Sequence, residues 1–282
     1  MIFPSLDRVK AIAPGYDIVP VYMEILSDVR TPISVLKALK QVSSHTYLLE
    51  SADNSNHWGR YSFLGYDPKI ELFCKNHTMT IKDGTTRTFE CSDPAAEIRN
   101  ILSQYKSPRL DELPTFTGGF VGYFACEYIR YIEPTLDFPT PDDDSAMVND
   151  VDLMLFDKVI AFDHYKNKIY LIANISTNDL ERNYNKAELE LKALADLVVN
   201  GKEADVPKGV LKTEFTSEFT KDEFEAVVKK TQHYIKEGDI FQCVVSNRRE
   251  AEFDGSLLNA YRVLRTLNPS PYMFYLSGGN VE

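Results

Sequence analysis

The residues best suited to chemistry lie in two short stretches far apart in the chain. The first is Leu48–Ser51, Leu-Leu-Glu-Ser, which closes an extended run that starts at His45. Its leucines enter a sheet, and Glu50 and Ser51 are delivered to the exposed end of the strand. A carboxylate beside a hydroxyl can hold the ammonium group of an amino acid; the plainer reading is a polar strand exit. The second stretch is Asn268-Pro-Ser-Pro-Tyr-Met273. Its two prolines stop the preceding helix, Ser256–Leu267, and remove backbone donors, which leaves carbonyls free as acceptors. Tyr272 and Met273 then offer an aromatic ring and a soft thioether, both good partners for a flat aromatic ligand. Taken alone, this too is a helix-to-strand turn.

Standard catalytic sets are missing. The sequence holds no GxSxG, HExxH, GxxxxGK or GxGxxG. Gly118, Gly119 and Gly122 fall among aromatic strand residues rather than at a strand-to-helix turn, so they read as a glycine bend in a sheet and not a phosphate loop. His45, His57, His77, His164 and His233 have no ligand spacing, and His164 is expected to end a strand at a hairpin. Cys74, Cys91, Cys126 and Cys243 form no CxxC pair and read as reduced core thiols of a cytoplasmic protein.

Several elements must position these residues. Asp17–Ile25 alternates like a strand, with Pro20 favouring a sheet edge. Thr31 caps a helix with Pro32 at its first position, and Val35, Leu36 and Leu39 form its inner face. The polar stretch Ala52–His57 follows Ser51, and the chain resumes at Trp58. Strands are expected at Lys69–Lys75, Thr78–Lys82 and Thr85–Glu90, joined by Asn76-His77 and Asp83-Gly84 turns. Asp93 and Pro94 start a helix facing inward through Ile98, Ile101, Leu102 and Tyr105. Pro139–Asp144 reads as a solvated loop. Strands at Asp152–Phe162 and Lys168–Asn174 pair across Phe162–Asn167. Asn178–Val199 carries a clean stripe of Leu180, Tyr184, Ala187, Leu191, Leu194 and Val198.

Asn200–Gly209 mixes glycine, proline and charge and marks the domain boundary. The best-specified local structure lies beyond it. Thr220 and Glu223 make a capping box, Phe219 and Phe224 a hydrophobic staple. Phe224, Val227, Val228, Tyr234 and Ile235 keep one helical face, and Gly238 is placed as a left-handed helix stop. A strand over Ile240–Arg249 is expected next, with Gln242, Val244 and Ser246 on one face. Tyr272–Leu276 reads as a strand, Ser277–Asn280 as a turn, and Val281-Glu282 as the start of a partner strand. A chain ending there leaves an unpaired edge, and a second domain of only about 65 residues is small for a core of its own, so the sequence reads as part of a longer protein.

At 282 residues and 44% hydrophobic content the chain can fill two cores. A net charge of -11 and a pI near 5.0 argue against nucleic acid or an anionic membrane as partner. Sixteen Tyr and 16 Phe are spread through strands rather than interleaved with Lys and Arg, which marks them as core. No run of 18 apolar residues is present to span a bilayer, and no secretory signal opens the chain.

Six blocks of sequence carry a resemblance: LLES, WGRYSFLG, FTGGFVGYF, VIAFDH, EGDIFQCVVSNR and NPSPYMFYL. In this order, from Phe3 to about Leu276, they resemble the anthranilate synthase component I family of chorismate-binding enzymes. The fold implied is α+β, with antiparallel sheets and helices packed outside, in two domains of which the C-terminal one is incomplete. The corresponding division is 1–199, a linker at 200–215, and the beginning of a chorismate-binding domain at 216–282. The resemblance implies conversion of chorismate and ammonia to anthranilate and pyruvate, the first step of tryptophan biosynthesis, with ammonia from a glutamine amidotransferase subunit (component II). It implies feedback inhibition by L-tryptophan at Ser51, Pro271, Tyr272 and Met273, with Glu50 adjacent and Arg60, Tyr61 and Asn268 as weaker candidates. Mg2+ ligands, the catalytic histidine and the chorismate contacts are expected beyond residue 282, so this piece is expected to be inactive alone. The alternatives are aminodeoxychorismate synthase component I, or a tryptophan-binding module without catalysis.

Overall fold

The computed structural model describes residues 1–51, 59–133, 135, 148–278 and 281–282. The stretches 52–58, 139–144 and 279–280, on which a polar loop, a solvated loop and part of a turn are expected, lie outside or partly outside the described residues. The chain divides into two compact units, Met1–Asp205 with Leu264–Glu282, and Val206–Val263.

The first unit opens with α1 (Leu6–Ile12), β1 (Ile18–Leu26) and α2 (Pro32–Leu39). Thr31 caps α2 by accepting from the Ser34 N–H, and Ile33, Val35, Leu36, Ala38 and Leu39 are buried. Then come β2 (Thr46–Glu50), β3 (Tyr61–Tyr66), β4 (Ile70–Lys75), β5 (Thr78–Lys82), β6 (Thr86–Glu90) and α3 (Pro94–Leu102). Asn76 and His77 both take positive φ, the geometry a two-residue hairpin needs. After β7 (Gly119–Phe124), a short turn leads to α4 (Ile129–Ile132), followed by β8 (Val151–Phe156), β9 (Lys158–Asp163), β10 (Lys168–Ser176) and α5 (Leu180–Asn200).

The second unit contributes β11 (Val210–Leu211), β12 (Thr216–Ser217), α6 (Lys221–Glu237), β13 (Arg249–Glu250) and β14 (Phe253–Asp254). The helix α7 (Leu258–Leu267) begins in this unit, and β15 (Met273–Ser277) returns the chain to the first.

Within the first unit, β1, β10, β9, β3, β2 and β15 form one antiparallel sheet in that order, with Pro20 on the outermost strand β1. A second sheet runs β6, β5, β4, β8, β7. One face of the first sheet is covered by α2 and α5, whose stripe buries Tyr184, Ala187, Leu191, Leu194 and Val198. The other face meets the second sheet through Tyr47, Val121, Met154 and Phe156. The outer face of the second sheet packs Leu72, Met79, Leu153 and neighbours against Ile98 and Ile101 of α3. The result is α+β, two antiparallel sheets between helices. At roughly 25 cal/mol per Å2 of apolar surface removed from water, such faces supply the main favourable contribution to folding.

Several expected features come out differently. The run 152–162 is not one strand. It changes sheet at Asp157, whose carbonyl accepts from both the backbone N–H (2.8 Å) and the Nδ2 (3.1 Å) of Asn174 instead of continuing a ladder. Among the described residues, 240–248 hold no strand, and Gln242, Val244 and Ser246 share no sheet face. A strand exists only by pairing, and here the side chain of Asn247 takes that place, bonding the N–H and C=O of Phe219 at 3.0 and 2.9 Å. Leu102 is exposed rather than inward. Cys74 and Cys91 are buried thiols, but Cys126, in the short turn after β7, and Cys243, in the strandless stretch 240–248, are exposed. In the second unit α6 has the expected capping box and a left-handed Gly238 stop at φ 87°.

Candidate functional site

β2 and β15 are neighbours, and this pairing brings the two chemistry-bearing stretches together. Met273 stands directly opposite Glu50, which in turn stands opposite Ser62 on β3 and, through it, Phe162 on β9. Directly opposed residues of antiparallel strands share a face, so Met273, Glu50 and Ser62 lie side by side. Ser51 follows at the end of β2, half-buried.

Glu50 does not sit at an exposed strand end. Its side chain is 5% exposed, and Arg265 of α7 grips it through two hydrogen bonds, Nε to Oε2 at 2.6 Å and Nη2 to Oε1 at 2.8 Å. The planar guanidinium fork matches both carboxylate oxygens at once, the strongest form of ion pair available to protein side chains. The reason for the difference from the sequence expectation is distance along the chain: the partner is 215 residues away.

The turn after α7 is built locally. Asn268 closes the last helical turn by donating its N–H to Leu264. The Ser270 hydroxyl accepts from the Tyr272 N–H (3.3 Å) and donates to the Tyr272 carbonyl (3.2 Å). Asn268 and Pro271 are exposed, Tyr272 is 76% exposed, and Met273 is buried. An accessible ring thus stands beside a thioether fixed in the sheet.

Arg60 and Tyr61 lie one strand further on. The Arg60 guanidinium pairs with Asp163 through Nε to Oδ1 (3.1 Å) and Nη2 to Oδ2 (2.7 Å), and it lies 4.7 Å from the Tyr61 ring centroid. Asp163 is fully buried and also accepts the N–H groups of Tyr165 and Lys166. Burial pushes its carboxyl up, but these hydrogen bonds outweigh burial and hold it below the ordinary carboxylate range. Arg60 is therefore committed to the β9–β10 turn.

Sequence reasoning missed Arg265, Ser62 and Asp163, and no local pattern marks them. His164 does follow the end of β9, as expected, and its Nε2 lies 2.8 Å from the Ser62 Oγ. Burial lowers the His164 pKa. Ser62 is 2% exposed, so no substrate reaches its hydroxyl, and the pair ties β3 to the end of β9. A separate cavity of about 380 Å3 lies by the opposite end of β2, near His45, Glu71, Lys75, Lys82 and Asp152. In it Glu71 lies 3.0 Å from the Lys82 ammonium and 3.7 Å from the His45 ring.

Among the described residues no three His, Cys, Asp or Glu side chains gather to hold a metal ion. These residues do not fit a Mg2+ site. Nor is any helix among the described residues long and apolar enough to cross a membrane.

Residues 45–282 match the family described as chorismate binding enzyme. The chain belongs to that family. Anthranilate synthase component 1 from Acetivibrio thermocellus is 36% identical over 289 residues, which cover 99% of this chain and 58% of the relative. The protein of the same name from Aquifex aeolicus is 36% identical over 283 residues, covering 96% and 56%. This chorismate-binding family member thus spans a little over half the length of the curated relatives it matches. A crystal structure of anthranilate synthase component I from Streptococcus pneumoniae TIGR4 is similar over 86% of this chain and 52% of its own, at 26% identity and a TM-score of 0.55. The structure of MenF, the menaquinone-specific isochorismate synthase of Escherichia coli, covers 98% of this chain at 12% identity and a TM-score of 0.51, a likeness of fold alone.

Proposed function

We propose that this chain is the tryptophan-sensing portion of an anthranilate synthase component I, an enzyme taking chorismate and ammonia to anthranilate and pyruvate. A glutamine amidotransferase subunit supplies the ammonia in this reading. Identities of 36% to two proteins of that name, over nearly the whole of this chain, support the assignment.

The observation that carries the tryptophan reading is the register of β2 and β15, in which Glu50 stands opposite Met273. An amino acid bearing a flat ring has an ammonium group for Glu50 and Ser51 and an indole for Tyr272 and Met273. Pro271 and Asn268 border the ring side of that site. Arg60 and Tyr61 keep a lesser part in it, because the Arg60 guanidinium is engaged with Asp163.

Calorimetry with L-tryptophan on the wild-type chain and on Ser51→Ala tests this. Wild type is expected to bind, and loss of a hydrogen bond to a charged group, worth about 1.5–3 kcal/mol, weakens Ser51→Ala by roughly tenfold or more. No heat from the wild-type chain at millimolar tryptophan would sink the reading.

A further inference from the structure

We propose that Arg265 and the ammonium group of an α-amino acid compete for Glu50, so that ligand entry is an exchange of one cation for another. The inference rests on the tryptophan-site reading above and assigns its regulatory step.

A carboxylate with 5% of its side chain exposed is very unfavourable without a cation beside it, so every well-populated arrangement must keep one there. Arg265 is that cation, and its fork uses both carboxylate oxygens, at 2.6 and 2.8 Å. An ammonium at the same oxygens would bring two like charges within a few ångströms, so the two partners exclude each other.

The two sides of the pair are unequal in freedom. Glu50 is fixed on β2 between β3 and β15, while the Arg265 side chain is 33% exposed and has solvent to move into. Arg265 therefore yields and Glu50 stays. Arg265 is also three residues before Asn268, whose N–H closes the last turn of α7. Releasing Arg265 frees the end of the helix that leads directly into the Pro271–Met273 wall. The same event that seats the ammonium thus unlocks the turn that receives the ring. That gives a two-state element biased by the ligand.

The exchange has a cost in affinity: Arg265 holds down the fraction of molecules ready to bind. Removing its charge must then tighten binding of ammonium-bearing ligands alone.

Two measurements on the 1–282 chain decide it. In a 15N-arginine-labelled sample, the hydrogen-bonded Arg265 Nε–H resonance, identified by its loss in Arg265→Lys, should move on adding L-tryptophan and stay put with 3-indolepropionate, which lacks the ammonium. In calorimetry, Arg265→Met should bind L-tryptophan roughly 5- to 150-fold more tightly than wild type, with 3-indolepropionate unaffected. If tryptophan binds with normal heat while the Arg265 signal stays in place, the exchange is overturned and the site reading survives. A signal that moves equally with both ligands overturns it as well. If wild type and Arg265→Met both give no heat with tryptophan, both ideas fall. Should Arg265→Met not fold, the resonance of the wild-type chain carries the decision.

Discussion

Tyr47 and Phe156 meet edge to ring with their centroids 4.7 Å apart, and the contact joins β2 of one sheet to β8 of the other. Tyr47 is fully buried, and its hydroxyl has no hydrogen-bond partner among the described residues. Burial alone pushes its pKa far above the usual tyrosine value. An orphaned buried hydroxyl costs about 1–3 kcal/mol, so Tyr47→Phe, which keeps the ring contact, should raise stability by about 1 kcal/mol. Urea unfolding checks this. A loss of stability greater than that would mean the hydroxyl is bonded, for instance to a buried water.

Gly65 stands directly opposite Tyr47 across β2 and β3. A Cβ placed on Gly65 would run into the Tyr47 ring at Cε1, and the ring is packed on Phe156 and cannot retreat. Gly65→Ala should therefore lose about 1–3 kcal/mol by overpacking. The same substitution in a Tyr47→Leu background should cost clearly less, because the clashing atoms are gone. Additive losses in the double-mutant cycle would place the strain elsewhere.

Arg60 and Asp163 give a pH-dependent prediction whose sign follows from the carboxyl. The Asp163 pKa is lowered in the fold, so its contribution is present above the unfolded value of about 3.9 and is lost as pH falls through that value toward the folded one. Arg60→Ala leaves a buried carboxylate short of its cation and should cost roughly 2–3 kcal/mol at pH 7, toward the low end because the guanidinium is partly solvated. The gap between variant and wild type should narrow as pH falls, first as the carboxyl protonates in the variant, and close only below the lowered pKa of the wild-type carboxyl. An equal gap at pH 7 and pH 3.5 would assign the loss to packing on Tyr61 instead.

What was legible in the sequence was local. The stripe of α5, the Thr220–Glu223 capping box, the Thr31 cap and the Asn76-His77 turn each depend on residues within a few positions, and each came out as read. The pairing of 273–277 with 46–50 joins segments over 220 residues apart, and only the family resemblance suggested they belong together. The Glu50–Arg265 pair was invisible for the same reason, since an arginine within an amphipathic helix looks like any solvated charge. The run 152–162 misled because apolar residues flank the Asp157-Lys158 pair on both sides with no glycine or proline between them, while the switch between sheets is made by hydrogen bonds from Asn174.

Tyr272 and Met273 are adjacent, and their burial separates what a ligand would touch from what the sheet needs. Met273 is 7% exposed and fixed opposite Glu50, whereas the Tyr272 side chain projects into solvent at 76%. Met273→Ala removes a buried side chain and should lose about 2–5 kcal/mol of stability along with any affinity for L-tryptophan. Tyr272→Ala should leave stability within about 0.5 kcal/mol, as surface substitutions do. If the ring stacks on indole, Tyr272→Ala should still weaken tryptophan binding by several-fold, an aromatic pair being worth about 0.5–1.5 kcal/mol beyond its area. Thermal unfolding and calorimetry on the same two variants give the comparison. Unchanged affinity in Tyr272→Ala would remove the tyrosine from the site and leave Met273 as its apolar wall.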